Sequence, residues 1–287
     1  MNRQIIDFES ENQRLDVVLG MLYPDVSRSR FQKLITEGHV KVNGATVKPS
    51  YKCSIDDEVD IDFPEAKSVE IIPEDIPLSI LYEDDDVLVV DKPKNMVVHP
   101  AFGHYTGTLV NAVMYHCKDS LSGINGELRP GIVHRIDKDT TGSLVICKND
   151  AAHVDLAEQI KVHSVNRTYR GILIGHHIPT EGVVDRPIGR DEKDRKKMAI
   201  NEKHGKNAIT HYRILKEADG YAYAEFKLET GRTHQIRVHM ASIGYPLLGD
   251  PLYGSKKCPY HLEGQCLHAY TLGFVHPTTK EYMEFTA

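Results

Sequence analysis

Apolar residues recur at helical spacing in "QRLDVVLGML", residues 13–22, where Leu15, Val18, Leu19 and Leu22 fall on one side. A second periodic stretch, "RSRFQKLITE", puts Phe31, Leu34 and Ile35 on one face, with Ser27 placed to cap the N-terminus and Gly38 to supply a left-handed C-terminal residue. The period then changes from 3.6 to 2. In "HVKVNGATV" Val40 and Val42 point inward, Asn43-Gly44 makes the turn, and "DDEVDID" continues the strand pattern. The pattern predicts a small α/β module of two helices and a few short strands over residues 12–63, with Arg28, Arg30 and Lys33 on the side of the second helix opposite Leu34 and Ile35.

Residues 64–78, with three prolines and scattered charge in "PEAKSVEIIPEDIP", read as a linker. Beyond it, residues 79–287 are mostly strand-like: "DVLVVDKP", "GSLVICK", "RTYRGILIG", "THYRILKE", "YAYAEFKLETG" and "LHAYTLGFVHP". The clearest helical patterns are "TLVNAVMYH" and "AAHVDLAEQIK", where Leu156 and Ile160 share a face. This mixture predicts an α+β domain on a mainly antiparallel, mixed sheet.

Composition narrows the class. With 287 residues, 40% hydrophobic and 26% charged, the chain is an ordinary globular protein of about two domains. No run approaches the roughly 18 apolar residues of a membrane helix, and "MNRQIIDFESENQ" lacks the marks of a signal peptide, so the expectation is a cytoplasmic protein without membrane contact. Five cysteines without a C-x-x-C pair read as reduced thiols. The net charge of −6 argues against a nucleic-acid partner until its distribution is considered. Residues 27–52 carry six Lys/Arg against one acid, residues 186–206 carry eight against four, and the acids gather between 56 and 91. Such a chain presents two basic faces to a phosphate.

The densest polar segment is "GIVHRIDKDTTGSLVICKND", residues 131–150, in which two apolar runs that both read as buried strand bracket His134, Arg135, Asp137, Lys138 and Asp139. A second concentration, "LETGRTHQIRVHM", sets Arg232, His234, Gln235, Arg237 and His239 on a strand or strand-to-helix edge. An aspartate without a metal acts as nucleophile or base toward a sugar carbon, as carboxylates do in glycoside cleavage. When buried it needs a cation beside it, for which Arg237 is the candidate. The same residues also suit a buried ion pair that ties two strands together, or a hydrolase that releases free base from nucleosides. There is no G-x-G-x-x-G, phosphate-binding G-x-x-x-x-G-K or G-x-S-x-G, so no cofactor is expected. Cys258, His261, Cys266 and His268 in "CPYHLEGQCLH" invite a zinc reading, but their spacing leaves a very tight loop and the expectation is no metal.

Taken together these motifs resemble a known family. "RLDVVL", "SRSRFQKLITEGHVKVNG" and "VKPSYKC" resemble the S4-like RNA-binding module over nearly its whole length. "GIVHRIDKDTTGSLVICK" resembles the H-R-L-D-x-x-T-S-G signature of RNA pseudouridine synthases of the ribosomal large-subunit type, with Ile136 for the usual Leu and Thr141 for the usual Ser. "VVDKPKNMVVHP", "RTYRGILIG", "TGRTHQIRVHM", "GDPLYG" and "LHAYTLGFVHP" extend the likeness in order over residues 79–287. The resemblance implies cofactor-free isomerisation of uridine in RNA, ribosomal RNA by the attached module. By it Asp137 is the indispensable group, Tyr169 stacks on the target base, and Arg237 pairs with the aspartate. It also implies that Arg135 fills the gap left by a flipped base, and that His134, Arg232 and Gln235 shape or contact the substrate site. Arg28, Arg30 and Lys33 then hold RNA phosphates, and the chain is expected to act as a monomer. The remaining alternative is an RNA-binding assembly factor that kept the fold without activity.

Overall fold

The computed structural model describes residues 2–24, 26–64, 71–100, 103–118, 120–124, 130–192, 194, 197–254 and 260–287. The chain divides into two compact units, residues 1–68 and 69–287.

In the first unit, strand β1 (Asn2–Ile5) precedes helices α1 (Leu15–Leu22) and α2 (Arg28–Thr36) and strands β2 (Val40–Val42), β3 (Ala45–Thr46) and β4 (Glu58–Ile61). The strands form an antiparallel sheet in the order β1-β4-β2-β3. Helix α2 starts where the Ser27 hydroxyl accepts the Arg30 N–H, and it stops at Gly38, whose φ of +82 is open to glycine at no steric cost. Leu15, Val18, Leu19, Phe31, Leu34 and Ile35 are buried against Val40, Val42, Val59 and Ile61. Each such side chain contributes about 1.5–3 kcal/mol. Leu22, by contrast, is exposed, because α1 ends there.

The second unit is built on a nine-stranded sheet. Its strands are β5 (Ser79–Glu83), β6 (Val87–Lys92), β7 (Thr141–Cys147), β8 (Asn166–Ile174), β9 (Glu181–Asp185), β12 (Ile209–Ala218), β13 (Tyr221–Leu228), β14 (Leu267–Val275) and β15 (Tyr282–Thr286). They run in the order β5-β6-β7-β14-β8-β13-β12-β9, with β15 paired to β14. All pairs are antiparallel except β7 with β14. A two-stranded ribbon, β10 (Ile188–Arg190) and β11 (Met198–Ile200), lies apart. Three helices pack on this framework: α3 (Leu109–Cys117), α4 (Asp150–Lys161) and α5 (Gln235–Ser242). Leu88, Val90, Leu144, Ile146, Tyr169, Phe226, Ile236 and Met240 share the larger core, while Val87, Val145, Leu156 and Phe274 form a second.

Two expectations change. Residues 131–133 are not a strand: Gly131 N–H and its carbonyl tie to Ser122 and Cys147, and Ile132 makes an isolated bridge to Ile146. Part of the supposed linker is also docked. Ile71 is buried in the larger core, Asn111 of α3 donates to the Ile72 carbonyl at 2.8 Å, and the Glu74 N–H donates to the Asn111 carbonyl at 3.0 Å. The prolines here fix an extended strap rather than a free spacer. Linker residues 65–70 lie outside the described residues.

Candidate active site

Asp137 stands in the turn that leads into β7, where its carbonyl accepts the Thr140 N–H at 3.1 Å. The turn is held from several sides. Gln265 donates to the Thr140 hydroxyl at 3.0 Å, and the Thr141 hydroxyl meets His268 Nδ1 at 2.7 Å. Gly142, at φ +112, pairs with Ala269 so closely that any side chain would strike the neighbouring backbone. Lys92, fully buried at the end of β6, donates to the carbonyls of Pro93, Met96 and Lys138, the last at 3.0 Å. Burial pushes its ammonium down to about 8, against the pull of Asp139 and Asp137. Lys92 thereby fixes the residue next to Asp137.

Arg237 comes from α5. Its Nη1 donates to Asp137 Oδ2 at 2.9 Å, while Nε and Nη2 donate to both oxygens of Asp250 at 2.7 and 2.9 Å. Asp250 has no exposed side-chain surface, Arg237 has 5% and Asp137 has 18%. Burial opposes the charge on both Arg237 and Asp250. Their two-pronged pairing, with the Leu252 and Tyr253 N–H groups on Asp250, outweighs it and holds Asp250 below and Arg237 above their ordinary values. The cation foreseen for Asp137 is therefore anchored mainly by a second aspartate.

The helix that carries Arg237 begins at His234, whose φ of +58 is a left-handed angle uncommon outside glycine. Gln235 holds that corner in place. Its amide oxygen accepts from the Thr230 hydroxyl and the Arg232 N–H, and its amide nitrogen donates to the Ile209 carbonyl and the Thr210 hydroxyl. On His234, Nδ1 lies 2.8 Å from the Tyr253 hydroxyl, which also accepts the Met198 N–H. Nε2 is 3.9 Å from Asp137 Oδ1. One carboxylate oxygen is thus bound by Arg237, and the other faces the cleft near the His234 ring. Burial keeps His234 below its ordinary value, so at neutral pH it is uncharged.

Arg135, Asp137, Tyr169, Arg232, His234 and Arg237 all line this cleft. Tyr169 projects from β8 opposite Phe226 of β13 and Ala269 of β14, and burial raises its phenol. Arg135 is exposed at the rim, with Nη1 3.4 Å from His99 Nε2. Arg232 Nε is tied to the Asn207 carbonyl at 2.9 Å.

Two side chains expected at the substrate are engaged inside the protein instead. Gln235 lines the cleft, but its amide is fully used within the protein and it holds the corner rather than the substrate. His134 turns inward. Its Nε2 accepts the Val145 N–H at 3.1 Å, and burial together with Arg167 pushes it down to about 3. In the first unit, Arg28 Nε donates to Asp16 at 3.0 Å and Lys33 pairs with Glu37 at 3.6 Å, so Arg30 is the member of the trio with no acidic partner among the described residues. Sequence reasoning missed Lys92, Asp250 and Tyr253 as parts of the site. The first two stand within "VVDKP" and "GDPLYG", where an acid or base inside an apolar stretch was the available signal.

Of the possible zinc ligands, Cys258 lies outside the described residues. His268 has both ring nitrogens bonded within the protein, to Thr141 and to the Ala287 carbonyl. Asp84, Asp86 and His276 also converge, but His276 Nδ1 accepts the Thr278 and Thr279 N–H groups and Nε2 meets Asp84 at 2.8 Å, a hydrogen-bonded turn rather than open ligands.

The cleft thus holds a solvent-reaching aspartate with one oxygen fixed by a buried guanidinium, beside a buried tyrosine. Comparisons with known proteins identify the family. The family described as RNA pseudouridylate synthase matches residues 86–242, and the S4 domain matches residues 13–59. An RNA pseudouridine synthase of Bacillus subtilis (strain 168), named as uncharacterised, is 50% identical over 279 residues, covering 97% of this chain and 91% of the relative. Ribosomal large subunit pseudouridine synthase D of Zymomonas mobilis is 49% identical over 284 residues, covering 96% and 89%. Among solved structures, human RNA pseudouridylate synthase domain containing 1 superposes with a TM-score of 0.60 at 27% identity, covering 78% of this chain and 85% of that one. The chain belongs to the RNA pseudouridylate synthase family, an enzyme acting on RNA with an S4 domain ahead of its catalytic fold.

Proposed function

We propose that this enzyme isomerises specific uridines of large-subunit ribosomal RNA to pseudouridine, with Asp137 as the essential group. The observation that carries the assignment is the Asp137 carboxylate, gripped on one oxygen by Arg237 and free on the other in a cleft walled by Tyr169. The RNA class rests on relatives named for the large subunit at 49% and 42% identity. A stacked uridine cannot offer its sugar carbon to a carboxylate, so the nucleotide flips into the cleft, with Arg135 at the rim filling its place and Tyr169 stacking on the base. The bond from C1′ to N1 breaks, the uracil turns, C1′ joins C5, and the proton that leaves C5 is matched by one taken up at N1. Nothing is added or lost overall. Arg237 orients the carboxylate through these steps, and Arg232 steadies the cleft wall. Residues 12–63 serve as an RNA-holding module, and the protein works as a cytoplasmic monomer. No helix among the described residues is long and apolar enough to cross a membrane.

The test is an unmodified transcript of large-subunit ribosomal RNA. The wild type should introduce pseudouridine with no change in RNA mass, and Asp137→Asn should introduce none while binding within about tenfold of wild type, ~1.4 kcal/mol. Turnover by the Asn variant would remove Asp137 from the role, and released uracil would mark a hydrolase. The two-domain division has its own check. A chain beginning at residue 69 should fold, whereas one beginning at 79 loses the Ile71 anchor and the Asn111 contacts and should be less stable.

A further inference from the structure

Arg167 is a further charged group near the cleft, and the chemistry above does not use it. It lies on β8 two residues before Tyr169, and it is 8% exposed. Buried guanidinium groups are ordinarily paired with a carboxylate or hydrogen-bonded. Arg167 has neither among the described residues: no ion pair includes it, and its buried Nε has no hydrogen-bond partner. Its neighbours deepen the deficit. It lowers both the His134 imidazole and the Tyr169 phenol, and neither of these is an anion at neutral pH.

A second observation concerns the loop above it. Gly231, exposed in "TGRTHQIRVHM", does not adopt a left-handed backbone angle, so conformation does not explain the glycine. A Cβ there would come within 2.7 Å of Arg167 Nη1. The missing side chain leaves room for the guanidinium tip, which lies beside an exposed residue. Arg167 also borders a cleft lined by His163, Asn166, His211 and Lys227, whose single acid, Glu229, is held by His211 at 2.6 Å.

A cation held ready, unpaired, beneath a glycine and next to a basic cleft fits an anion delivered by the ligand. We infer that Arg167 binds a backbone phosphate of the RNA next to the flipped uridine. This rests on the RNA reading above. Arg167 anchors the strand within a few residues of the tyrosine that stacks on the base, because it and Tyr169 project from alternate positions of one strand, about 7 Å apart. The phosphate supplies the negative partner that Arg167 lacks among the described residues.

The experiment uses the full chain, the same unmodified large-subunit transcript, and binding titrations at several salt concentrations. Arg167→Met keeps the aliphatic stem and removes the charge. It should lower the slope of log K against log salt by about 0.7–0.9, one phosphate contact. Its melting temperature without RNA should be no lower than that of wild type, since an unpaired charge is removed. Arg167→Lys should retain most of the slope, and Gly231→Ala, which crowds Nη1, should weaken binding with both charges still present. Lys216→Ala, on an exposed stretch of β12, is the control and should leave the slope unchanged. An unchanged slope for Arg167→Met overturns the inference. So does an Arg167→Met protein that melts far lower or fails to fold, because the guanidinium would then be satisfied inside the protein. An equal loss of slope for Lys216→Ala overturns it as well, as diffuse attraction. If wild type binds the transcript but makes no pseudouridine, the functional reading fails while the slopes still decide on the phosphate.

Discussion

Two ion triads of opposite sign, each centred on a buried group, sit in the two units. In residues 69–287 one guanidinium, Arg237, is shared by two carboxylates, Asp137 and Asp250. In residues 1–68 one carboxylate, Asp16, is shared by two guanidiniums, Arg14 and Arg28, with Gln32 Nε2 as a third donor. Arg14, with its hydrogen bond to Asp16, is the largest cause that holds this fully buried acid well below the ordinary carboxylate range. Each triad leaves its surplus charge at the surface. In the first that surplus is an aspartate oxygen facing the cleft, and in the second it is two half-exposed arginines. The difference teaches where function lies in such a cluster. The fully buried member is the scaffold, and the member that reaches solvent is the one able to act.

The strongest way to break the comparison is to remove the scaffold member. Asp250→Asn deprives Arg237 of its bidentate partner inside the protein, which should cost about 3–5 kcal/mol of stability. It should also slow isomerisation by freeing Arg237 to turn from Asp137. Urea unfolding and single-turnover rates measure the two effects. Full activity with Asn at 250 would show that Arg237 needs no anchor.

Next in size is the response to acid, which should separate the units. His134 is pushed down to about 3 by burial and Arg167, and burial also lowers His153, His234 and His239. A histidine whose folded value lies below its unfolded value of about 6.5 contributes stability that is complete above that pH. It is lost as pH falls toward 3, at up to about 1.4 kcal/mol per pH unit from His134. The shifted carboxylates of the first unit, Asp16 and Asp57, are held low, so their contribution is present above about pH 4 and fades only below it. Unfolding midpoints at pH 7, 5.5 and 4.5 should therefore fall first for residues 69–287. His134→Gln, which can still accept the Val145 N–H, should flatten that fall; an unaltered pH profile would place the titration elsewhere.

The smallest effects distinguish Arg28 from Arg30. Arg28→Ala should cost about 0.5–1 kcal/mol of folding stability, since the pair is half exposed and Asp16 keeps Arg14 and Gln32. Arg30→Ala should leave stability unchanged and lower the salt slope of RNA binding by about 0.7–0.9. Equal slopes for wild type and the Arg30 variant would mean that this helix does not hold phosphate.

Much of this was legible along the chain because it depends on neighbours in sequence. The caps and apolar faces of α1 and α2, the strand character of β6, β7, β8, β12, β13 and β14, and the helices α3 and α4 all follow from local period and turn chemistry. So do the reactive types gathered around Asp137 and Arg237, because polar residues inside apolar runs stand out. Residues 131–133 misled for the same reason: an apolar triplet looks like strand whether it makes a ladder or a single bridge at Ile132.

What tertiary structure alone decided are the partners separated by long stretches of chain. Gln265 reaches the Thr140 hydroxyl across 125 residues, and Lys92 reaches the Lys138 carbonyl across 46. Neither distance leaves a periodic trace. The same holds for Gln235, His134 and Arg28, whose residue types suit RNA contact as well as interior work. Only the fold shows that Gln235 and His134 are satisfied inside and that Arg28 holds a buried Asp16. A side chain's chemistry is written in the sequence; whether its hydrogen bonds are already taken depends on which distant backbone arrives beside it, and that is set by packing.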